Sequence, residues 1–561
     1  MSPAIDTLVR RHATGDALEE GLGEAGRRRL PTLTPGQQRA AVAVYVVLLV
    51  VVSVLLRTRS LSAPFWADEG LSVGIAGHPL DDIPGALEKD GSPPLYYVLL
   101  HGWMSLAGTG EAATHVLSLV FATAFIPAAL WAGWTIFGRT AGLMAATLAA
   151  CNPFLGSYAQ ETRMYTLFAF LGLLCAAIFV MAFVRRRRPY VYAYAVAQAL
   201  LAYTHNWGLF FGLAAAVVLV LIVWRSPPQQ RRGLIRDGAI AFGGSALLYA
   251  PWLPTFLGQA TSTGAPWATP PALLAPFKIT GGLLGGDRAA IPLLLAGGVG
   301  LVALLRGPVR GLQPEDRTTA QSDEPGRRVG GHVRRAAWVL AGLAMATLGW
   351  AWLSSQFNPA WTTRYQGVVI GAILLVAAAG LSRAGRLGLV TVAAVGLFWA
   401  FSIPNEALTN KSNADDIAAQ VGARVRAGDV VISTQPEQSA LLDYYLPSGL
   451  AYADVLGPVA DPRVMDWRDA LERMRATGVG VLGPTLDRLP VGRRLLLVSP
   501  ITDAPSRWRA PWTSLVRRRS AQWGQAVQAD RRLRVRAVAP GFYKNAANVG
   551  LRAVLYEKVA P

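Results

Sequence analysis

The chain has 561 residues, of which 52% are hydrophobic and only 16% are charged, whereas roughly 25% of residues are charged in an average soluble domain. The mean hydropathy is +0.34, so the composition indicates an integral membrane protein and excludes an ordinary soluble one. The formal net charge of +19 does not indicate a nucleic-acid partner, because the arginines lie between apolar segments and form no single basic face.

The apolar segments begin near residue 41 and end near residue 403. A helix crosses the hydrocarbon core of a bilayer with about 20 apolar residues, and about eleven segments approach that length. They are 41–56, 113–137, 140–157, 164–184, 190–204, 208–224, 238–253, 290–305, 336–353, 366–381 and 387–403. We therefore predict a polytopic α-helical membrane domain over 41–403, preceded by a polar, disordered cytoplasmic tail over 1–40.

Arginine-rich connections all fall on one side of the membrane if the predicted helices alternate in direction. They are 27–29, 185–188, 225–236, 306–335 and 383–386. Positive residues in short loops mark the cytoplasmic side. The pattern predicts a plasma-membrane protein whose N-terminus is cytoplasmic and whose C-terminal segment lies outside.

The pattern changes after about residue 404. Short apolar runs predict strands at 429–433, 494–499 and 551–559, and helical patterns lie between them at 412–426, 465–476 and 511–529. Strands that alternate with helices are typical of an α/β domain. We predict such a domain over 404–561, on the extracytoplasmic side.

Ionisable residues recur in the connections opposite the arginine-rich ones. They are Asp68 and Glu69 in the first connection, Glu161 and Arg163 in the next, and His205 and Arg364 further along. Carboxylates where a helix meets the aqueous side are costly unless they have a role there. A carboxylate can act as a general base, and a guanidinium binds two phosphate oxygens at once. We therefore predict one site at this face.

Each candidate also has a structural alternative. The alternatives are helix capping for Asp68 and Glu69, mutual pairing for Glu161 and Arg163, interfacial hydrogen bonding for His205, and membrane anchoring for Arg364. Neighbouring residues on a helix point about 100° apart, so only one of Asp68 and Glu69 is expected to face a substrate. The prediction of a site depends on the convergence of these residues at one face.

Short motifs, taken in their order, resemble a known family. They are Asp68-Glu69, the stretch 92–97, the stretch 161–165, Tyr203-Thr204-His205 and Arg364-Tyr365. Over roughly residues 40–400 they resemble the protein O-mannosyltransferase-like family of the GT-C superfamily, which is related to the lipid A aminoarabinose transferases. The resemblance implies a GT-C fold and the transfer of a sugar from a polyprenyl-phosphate carrier, with inversion at the anomeric carbon.

The resemblance also implies roles for the candidates. Asp68 would be the base at the acceptor, with Glu69 in support and Glu161 as a further catalytic carboxylate. By their chemistry and placement, Arg163, His205 and Arg364 are the candidate phosphate-side residues. The resemblance adds His115, which stands where bacterial relatives often have an arginine. A divalent metal held by Glu161 and His205 is an open alternative to the arginines, and no other cofactor is indicated.

The expected substrates follow from the same resemblance. The donor sugar would be mannose first and a pentose second, and the acceptor would be a glycan, a lipid or a protein. Rival interpretations are a ligase or acyltransferase of similar architecture, a transporter of lipid-linked sugars, and a non-catalytic scaffold for the C-terminal domain. A transporter should carry polar groups at mid-membrane depth. Here these groups collect at one face, which favours an enzyme.

Overall fold

The computed structural model describes residues 34–306, 324–402, 408–503, 508–542 and 549–561. Of the predicted tail over 1–40, residues 1–33 lie outside these ranges, and a helix begins at Pro35.

Among the described residues, nine helices are long and apolar enough to cross a membrane. They are Pro35–Arg57, Glu111–Phe137, Tyr165–Val184, Trp207–Trp224, Pro228–Ser262, Asp287–Arg306, Gly330–Phe357, Thr363–Leu381 and Gly385–Ser402. The two remaining predicted spans are also helical, but they are shorter, at 13 residues for Arg139–Cys151 and 16 residues for Pro189–Thr204. The protein is thus a multi-pass α-helical membrane protein, as the composition predicts.

Shorter helices fill the connections that carry the candidate residues. They are Ala67–Ala76, Ile83–Asp90, Leu95–Ala107, Pro153–Tyr158 and Ile279–Leu283. The helix Ile83–Asp90 ends because Gly91 adopts a left-handed backbone with φ of 90°, which glycine does at little cost. Pro93 and Pro94 then precede the next helix, and the fixed φ of proline suits a helix start.

Close helix packing brings two candidate arginines together. The helix Tyr165–Phe179 lies so near the segment that begins at Thr363 that a Cβ atom on Gly172 would collide with the Val368 carbonyl oxygen. Small residues allow this approach between membrane helices. Arg163 precedes the first of these packed elements and Arg364 lies at the start of the second, so both arginines lie at the same end of the pair.

The C-terminal part contains a six-stranded sheet in the order β3-β2-β1-β4-β6-β5. Its strands are β1 Val430–Ser433, β2 Ala451–Asp454, β3 Gly457–Val459, β4 Arg494–Pro500, β5 Leu533–Ala539 and β6 Leu551–Lys558. β1 pairs in parallel with β2 and β4, and the other pairings are antiparallel. The accompanying helices are Ala414–Val421, Ser439–Tyr445, Ala470–Ala476, Leu482–Arg488 and Pro511–Ala529.

The strands that the sequence predicts are β1, β4 and β6. All four residues of β1 and nearly all of β4 are buried, and burial on both faces produces the continuous apolar runs from which they are predicted. β5 lies at the sheet edge with alternating arginines and mostly exposed residues. β2, with the sequence AYAD, and β3, with the sequence GPV, are short and contain no run of large apolar residues. These three strands therefore lack the continuous apolar run by which a strand is recognised in the sequence.

The first connecting loop is docked onto the C-terminal domain. A Cβ atom on Gly70 would lie 2.8 Å from the Leu441 backbone, and one on Gly74 would lie 2.7 Å from the Arg463 carbonyl oxygen. Both glycines belong to the helix Ala67–Ala76, which also carries the acidic pair. Glycine at these positions lets the helix approach another backbone closely. The position of the acidic pair therefore depends on the C-terminal domain as well as on the membrane helices.

Candidate active site

A cavity of about 600 Å³ lies between the loops that carry the candidate residues and the C-terminal domain. Of the sequence-predicted candidates, its lining includes Asp68, Arg163, His205 and Arg364. The C-terminal domain contributes Gln435, Glu437, Gln438, Trp467, Thr513 and Val549. The volume is typical of a site for a small molecule or a cofactor.

Asp68 is held by both candidate arginines. Its Oδ2 accepts a hydrogen bond from Arg364 Nη1 at 2.8 Å and lies 3.9 Å from Arg163 Nη2. Arg163 Nη1 also donates to the Asp68 carbonyl oxygen at 3.1 Å and to Ser72 Oγ at 3.0 Å. Arg163 thus pairs with Asp68, and no ion pair with Glu161 is found among the described residues.

Aromatic rings surround the Arg364 guanidinium. Its Cζ lies 5.5 Å from the Trp66 ring centroid, 5.8 Å from that of Tyr165 and 5.5 Å from that of Tyr365. Aromatic faces attract a guanidinium and hold it in a fixed orientation.

The two arginines carry more positive charge than Asp68 balances. In the described part of the chain, the buried Nε of each has no hydrogen-bond partner. Buried donors normally find an acceptor. Two guanidiniums that share one carboxylate therefore suit a second anion, and the planar fork of arginine matches a phosphate.

Glu69 is not part of the cavity lining and is completely buried. Its carboxylate accepts hydrogen bonds from Lys411 Nζ at 2.8 Å to each oxygen, from the Thr162 backbone at 2.8 Å and from the Trp66 backbone at 3.3 Å. Its Oε1 also lies 2.7 Å from His115 Nε2. Burial alone would raise the pKa of Glu69, but Lys411 and His115 outweigh it and lower the pKa to about 2. Glu69 is therefore an ionised structural anchor that also caps its own helix.

His115 is not placed for the phosphate contact that the family resemblance implies. Its Nδ1 donates to the Leu61 carbonyl oxygen at 2.6 Å and its Nε2 contacts Glu69. The side chain is fully buried and lies outside the cavity lining. Both ring nitrogens are thus engaged, so we assign His115 to the support of Glu69 instead.

Lys411 is a site residue that the sequence analysis does not single out. It contacts Glu69, His115 and the Gln160 carbonyl oxygen, and it lines the cavity. The residue type itself is a sequence signal, because lysine is rare in this chain and only 5 of the 53 Lys and Arg residues are lysines. One of them lies directly after the last membrane helix. Asp90 and Glu437 also line the cavity without having been predicted.

His205 is a neutral member of the site. Burial and the charges of Arg163 and Arg364 lower the pKa of its ring to about 3. Its Nδ1 accepts a hydrogen bond from the Trp207 backbone at 3.1 Å. A neutral imidazole that accepts at Nδ1 carries its proton at Nε2. His205 is thus a hydrogen-bond donor for an oxygen ligand, and it adds no charge near pH 7.

Glu161 lies beside the site rather than in the cavity lining. Burial and the negative charge of Glu69 raise the pKa of Glu161 to about 7, and its buried Oε2 has no partner within the described residues. Across those residues, no group of three or more His, Cys, Asp and Glu side chains is arranged to hold a metal ion. The suggested pair of Glu161 and His205 thus has no third ligand of these types there.

Comparisons with known proteins identify the fold. By sequence, no family model and no curated protein matches the chain. By structure, the chain is similar to ArnT from Cupriavidus metallidurans bound to undecaprenyl phosphate, with a TM-score of 0.59, 16% identity and coverage of 92% of this chain and 98% of that chain. The apo form of ArnT gives a TM-score of 0.58 at 14% identity over the same shares of both chains.

A second match is AglB, the archaeal oligosaccharyltransferase from Archaeoglobus fulgidus, in complex with an inhibitory peptide and a dolichol-phosphate. It gives a TM-score of 0.51 at 10% identity and covers 81% of this chain and 69% of that chain. Both proteins are GT-C glycosyltransferases. The chain therefore has the GT-C fold, as its motifs predict, with ArnT as a neighbour that it matches over nearly its whole length. At these identities the likeness establishes the fold and not the reaction.

Proposed function

We propose that this protein is an inverting glycosyltransferase that moves a sugar from a polyprenyl-phosphate carrier to an acceptor hydroxyl. The observation that carries the proposal is the convergence of two partly buried arginines, Arg163 and Arg364, on the single carboxylate of Asp68 inside the cavity. The ArnT and AglB structures, which contain undecaprenyl phosphate and dolichol-phosphate, support a lipid phosphate as the ligand. From the motif resemblance, mannose is the first candidate sugar and a pentose such as arabinose the second.

The chemical step needs a base and a stabilised leaving group. The acceptor oxygen forms a bond to the anomeric carbon, and the bond from that carbon to the phosphate oxygen breaks on the opposite face, which inverts the centre. The electron pair leaves with the lipid phosphate, where Arg163 and Arg364 stabilise its charge. Asp68 takes the proton of the acceptor hydroxyl.

Arg364 connects the two halves of this step. Its Nη1 donates to Asp68 Oδ2, and the same guanidinium is proposed to bind the phosphate. A phosphate that draws this hydrogen bond to itself leaves Oδ2 available to accept the proton. Donor binding would thereby prepare the base.

The phosphate site is tested by Arg163→Ala and Arg364→Ala. Each change should weaken binding of undecaprenyl phosphate by roughly 10–100-fold, since a hydrogen bond to a charged group contributes about 1.5–3 kcal/mol. Lysine at either position should restore only part of the affinity, because it is a point charge without a fork. The measurement is the affinity of detergent-solubilised protein for undecaprenyl phosphate, with and without divalent metal.

The matched control is Arg536→Ala, which removes an arginine that pairs with Glu557 on the C-terminal sheet and should leave affinity unchanged. Parent-like affinity in both arginine variants would overturn the phosphate assignment. If affinity instead requires a divalent metal and is lost in Glu161→Gln and His205→Ala, a metal ion and not the arginines stabilises the leaving phosphate.

We also propose that the site faces the outer side of the plasma membrane, with the N-terminus in the cytoplasm. The support is the placement of the arginine-rich connections. Ser448→Cys, on an exposed turn of the C-terminal domain, should react with an impermeant maleimide in intact cells, whereas Gln229→Cys, beside Arg231, should react only after permeabilisation. Both positions are exposed, and both native cysteines are buried. Labelling of Gln229→Cys in intact cells would reverse the orientation.

A further inference from the structure

The cavity is lined by amide side chains whose carbonyl oxygens lack partners. Gln435 and Gln438 of the C-terminal domain are only 6% and 4% exposed, and they line the cavity together with Asn206 and Gln259. Within the described residues, the side-chain oxygen of each of these amides is buried without a hydrogen-bond partner. Such oxygens normally find a donor.

Neighbouring groups fix the orientation of three of these four amides. Asn206 Nδ2 donates to the Gly91 carbonyl oxygen at 3.2 Å, and Gln259 Nε2 donates to the Leu87 carbonyl oxygen at 2.8 Å. Carbonyl oxygens only accept hydrogen bonds. A half-turn of either amide would therefore set two oxygens against each other.

The same argument holds for Gln435. Its Nε2 donates to Glu437 Oε1 at 2.8 Å, and a carboxylate that lost this donor would face an oxygen. The unpartnered atoms of Asn206, Gln259 and Gln435 are thus acceptors, whereas the unpartnered Nε donors of Arg163 and Arg364 belong to the proposed phosphate site. A ligand that complements the amides must bring several hydrogen-bond donors.

Two tryptophan rings line the same cavity. Trp267 and Trp467 both line the cavity, with ring centroids 4.7 Å apart, and Trp467 lies 5.0 Å from Trp512. Trp512 Nε1 donates to both carboxylate oxygens of Glu437 at 3.2 Å. Aromatic surface therefore lines the same cavity as the Glu437 carboxylate and the amide oxygens.

We propose that Gln435, Glu437 and Gln438, together with Trp267 and Trp467, form an acceptor subsite for a neutral saccharide. This inference rests on the proposed function, whose acceptor it specifies. A saccharide presents several hydroxyl donors along its edge and an apolar C–H face that packs on an aromatic ring. Asp68 lines the same cavity, so a hydroxyl of the bound saccharide is within the enclosure that holds the proposed base.

Other ligand classes fit this subsite less well. A peptide brings one carbonyl for every backbone N–H, and its carbonyls would face more acceptors. An anionic acceptor would meet the Glu437 carboxylate. An amine would supply donors, but it would have to enter a cavity that also contains Arg163, Arg364 and Lys411.

The test uses the full-length protein in detergent and measures binding of defined probes. The saccharide probes are an α-1,6-linked mannotetraose and an α-1,5-linked arabinotetraose. The comparison probes are a Ser/Thr-rich peptide and a chitosan tetramer, and undecaprenyl phosphate reports the donor end. The variants are Gln438→Met, which keeps the volume and removes the acceptor, and Trp267→Ala. The control is Gln528→Met, an exposed glutamine on the helix Pro511–Ala529 of the same domain.

Gln438→Met and Trp267→Ala should each weaken binding of a neutral tetrasaccharide by about tenfold or more. Their affinity for undecaprenyl phosphate should stay that of the parent protein, which also shows that the variants are folded. In turnover assays the KM for the acceptor should rise while that for the donor does not, which separates an acceptor subsite from a site for the donor sugar.

The inference is overturned if neither tetrasaccharide binds the parent protein, or if both variants bind it like the parent. Preferential binding of the peptide or of the chitosan tetramer through these residues would also overturn it. A parent protein that binds a tetrasaccharide but not undecaprenyl phosphate would instead refute the proposed function and leave the saccharide subsite standing.

Discussion

Asp68→Asn should leave the protein folded and reduce sugar transfer on the order of 10²–10⁴-fold, the usual cost of losing a general base. Asparagine keeps the size of the side chain and one oxygen that can accept from Arg364 Nη1, which lies 2.8 Å from Asp68 Oδ2. It does not take a proton from an acceptor hydroxyl. The measurement is turnover of the purified variant with a polyprenyl-phosphate sugar.

Binding of undecaprenyl phosphate provides the control for this variant, because the arginines remain in place and affinity should be retained. Asp90→Asn provides the matched comparison. Asp90 is another carboxylate in the cavity lining, and burial raises its pKa above the ordinary value. Near-normal turnover in Asp68→Asn with a large loss in Asp90→Asn would move the role of base to Asp90.

The membrane part of the fold is largely predictable from the sequence, for physical reasons. Each spanning helix must satisfy its backbone within itself, so its apolar length appears directly in the chain. The placement of Asp68, Arg163, His205 and Arg364 along the chain then predicts that they share a membrane face, and these four residues do line one cavity. Their prediction needs only the alternation of the helices.

The rest of the site depends on contacts between segments that are distant in the sequence. Such contacts leave no periodic pattern of residues from which they could be predicted. Lys411 reaches Glu69 across 342 positions of the chain because the helix Ala67–Ala76 packs on the C-terminal domain. That packing requires glycine at positions 70 and 74, and neither glycine is distinguishable in the sequence from one in a loop. Gln435 and Gln438, which follow β1, are equally hard to predict. Polar residues after a strand are common, and only the structure shows that these two line the cavity.

Asp68 and Glu69 are adjacent in the sequence but have different surroundings in the structure, which the sequence does not show. Helix geometry predicts that they point apart, and the family resemblance favours Asp68 as the residue that faces a substrate, but neither gives the physical reason. The partners decide it, since Glu69 is surrounded by His115 and Lys411, whereas Asp68 is 23% exposed and meets the arginines. His115 thus contacts the structural carboxylate and not the cavity.

Lys411→Met should destabilise the protein by about 3–5 kcal/mol, the usual cost of breaking a buried ion pair, because the buried Glu69 carboxylate then keeps its His115 contact but loses the ammonium that contacts both of its oxygens. Lys411 Nζ lies 2.8 Å from both oxygens of Glu69, whose side chain is fully inaccessible to solvent. Methionine retains most of the apolar volume of lysine, so the loss should reflect charge and hydrogen bonding. The measurement is the denaturant dependence of tryptophan fluorescence in detergent, together with the melting temperature.

A double variant separates this charge effect from a packing effect. Glu69→Gln with Lys411→Met removes both charges of this pair, and it should be more stable than Lys411→Met alone, since the buried carboxylate that lost its ammonium partner is gone. The matched control is Lys558→Met, because Lys558 is also buried but donates to the Leu486 carbonyl oxygen at 2.8 Å. Its loss should cost less, since it strands a neutral acceptor and not a buried charge. Equal destabilisation by Lys411→Met and Lys558→Met, with no recovery in the double variant, would show that Lys411 acts by packing. The anchor that fixes the acidic pair would then have to be sought in the contacts of Gly70 and Gly74 with the C-terminal domain.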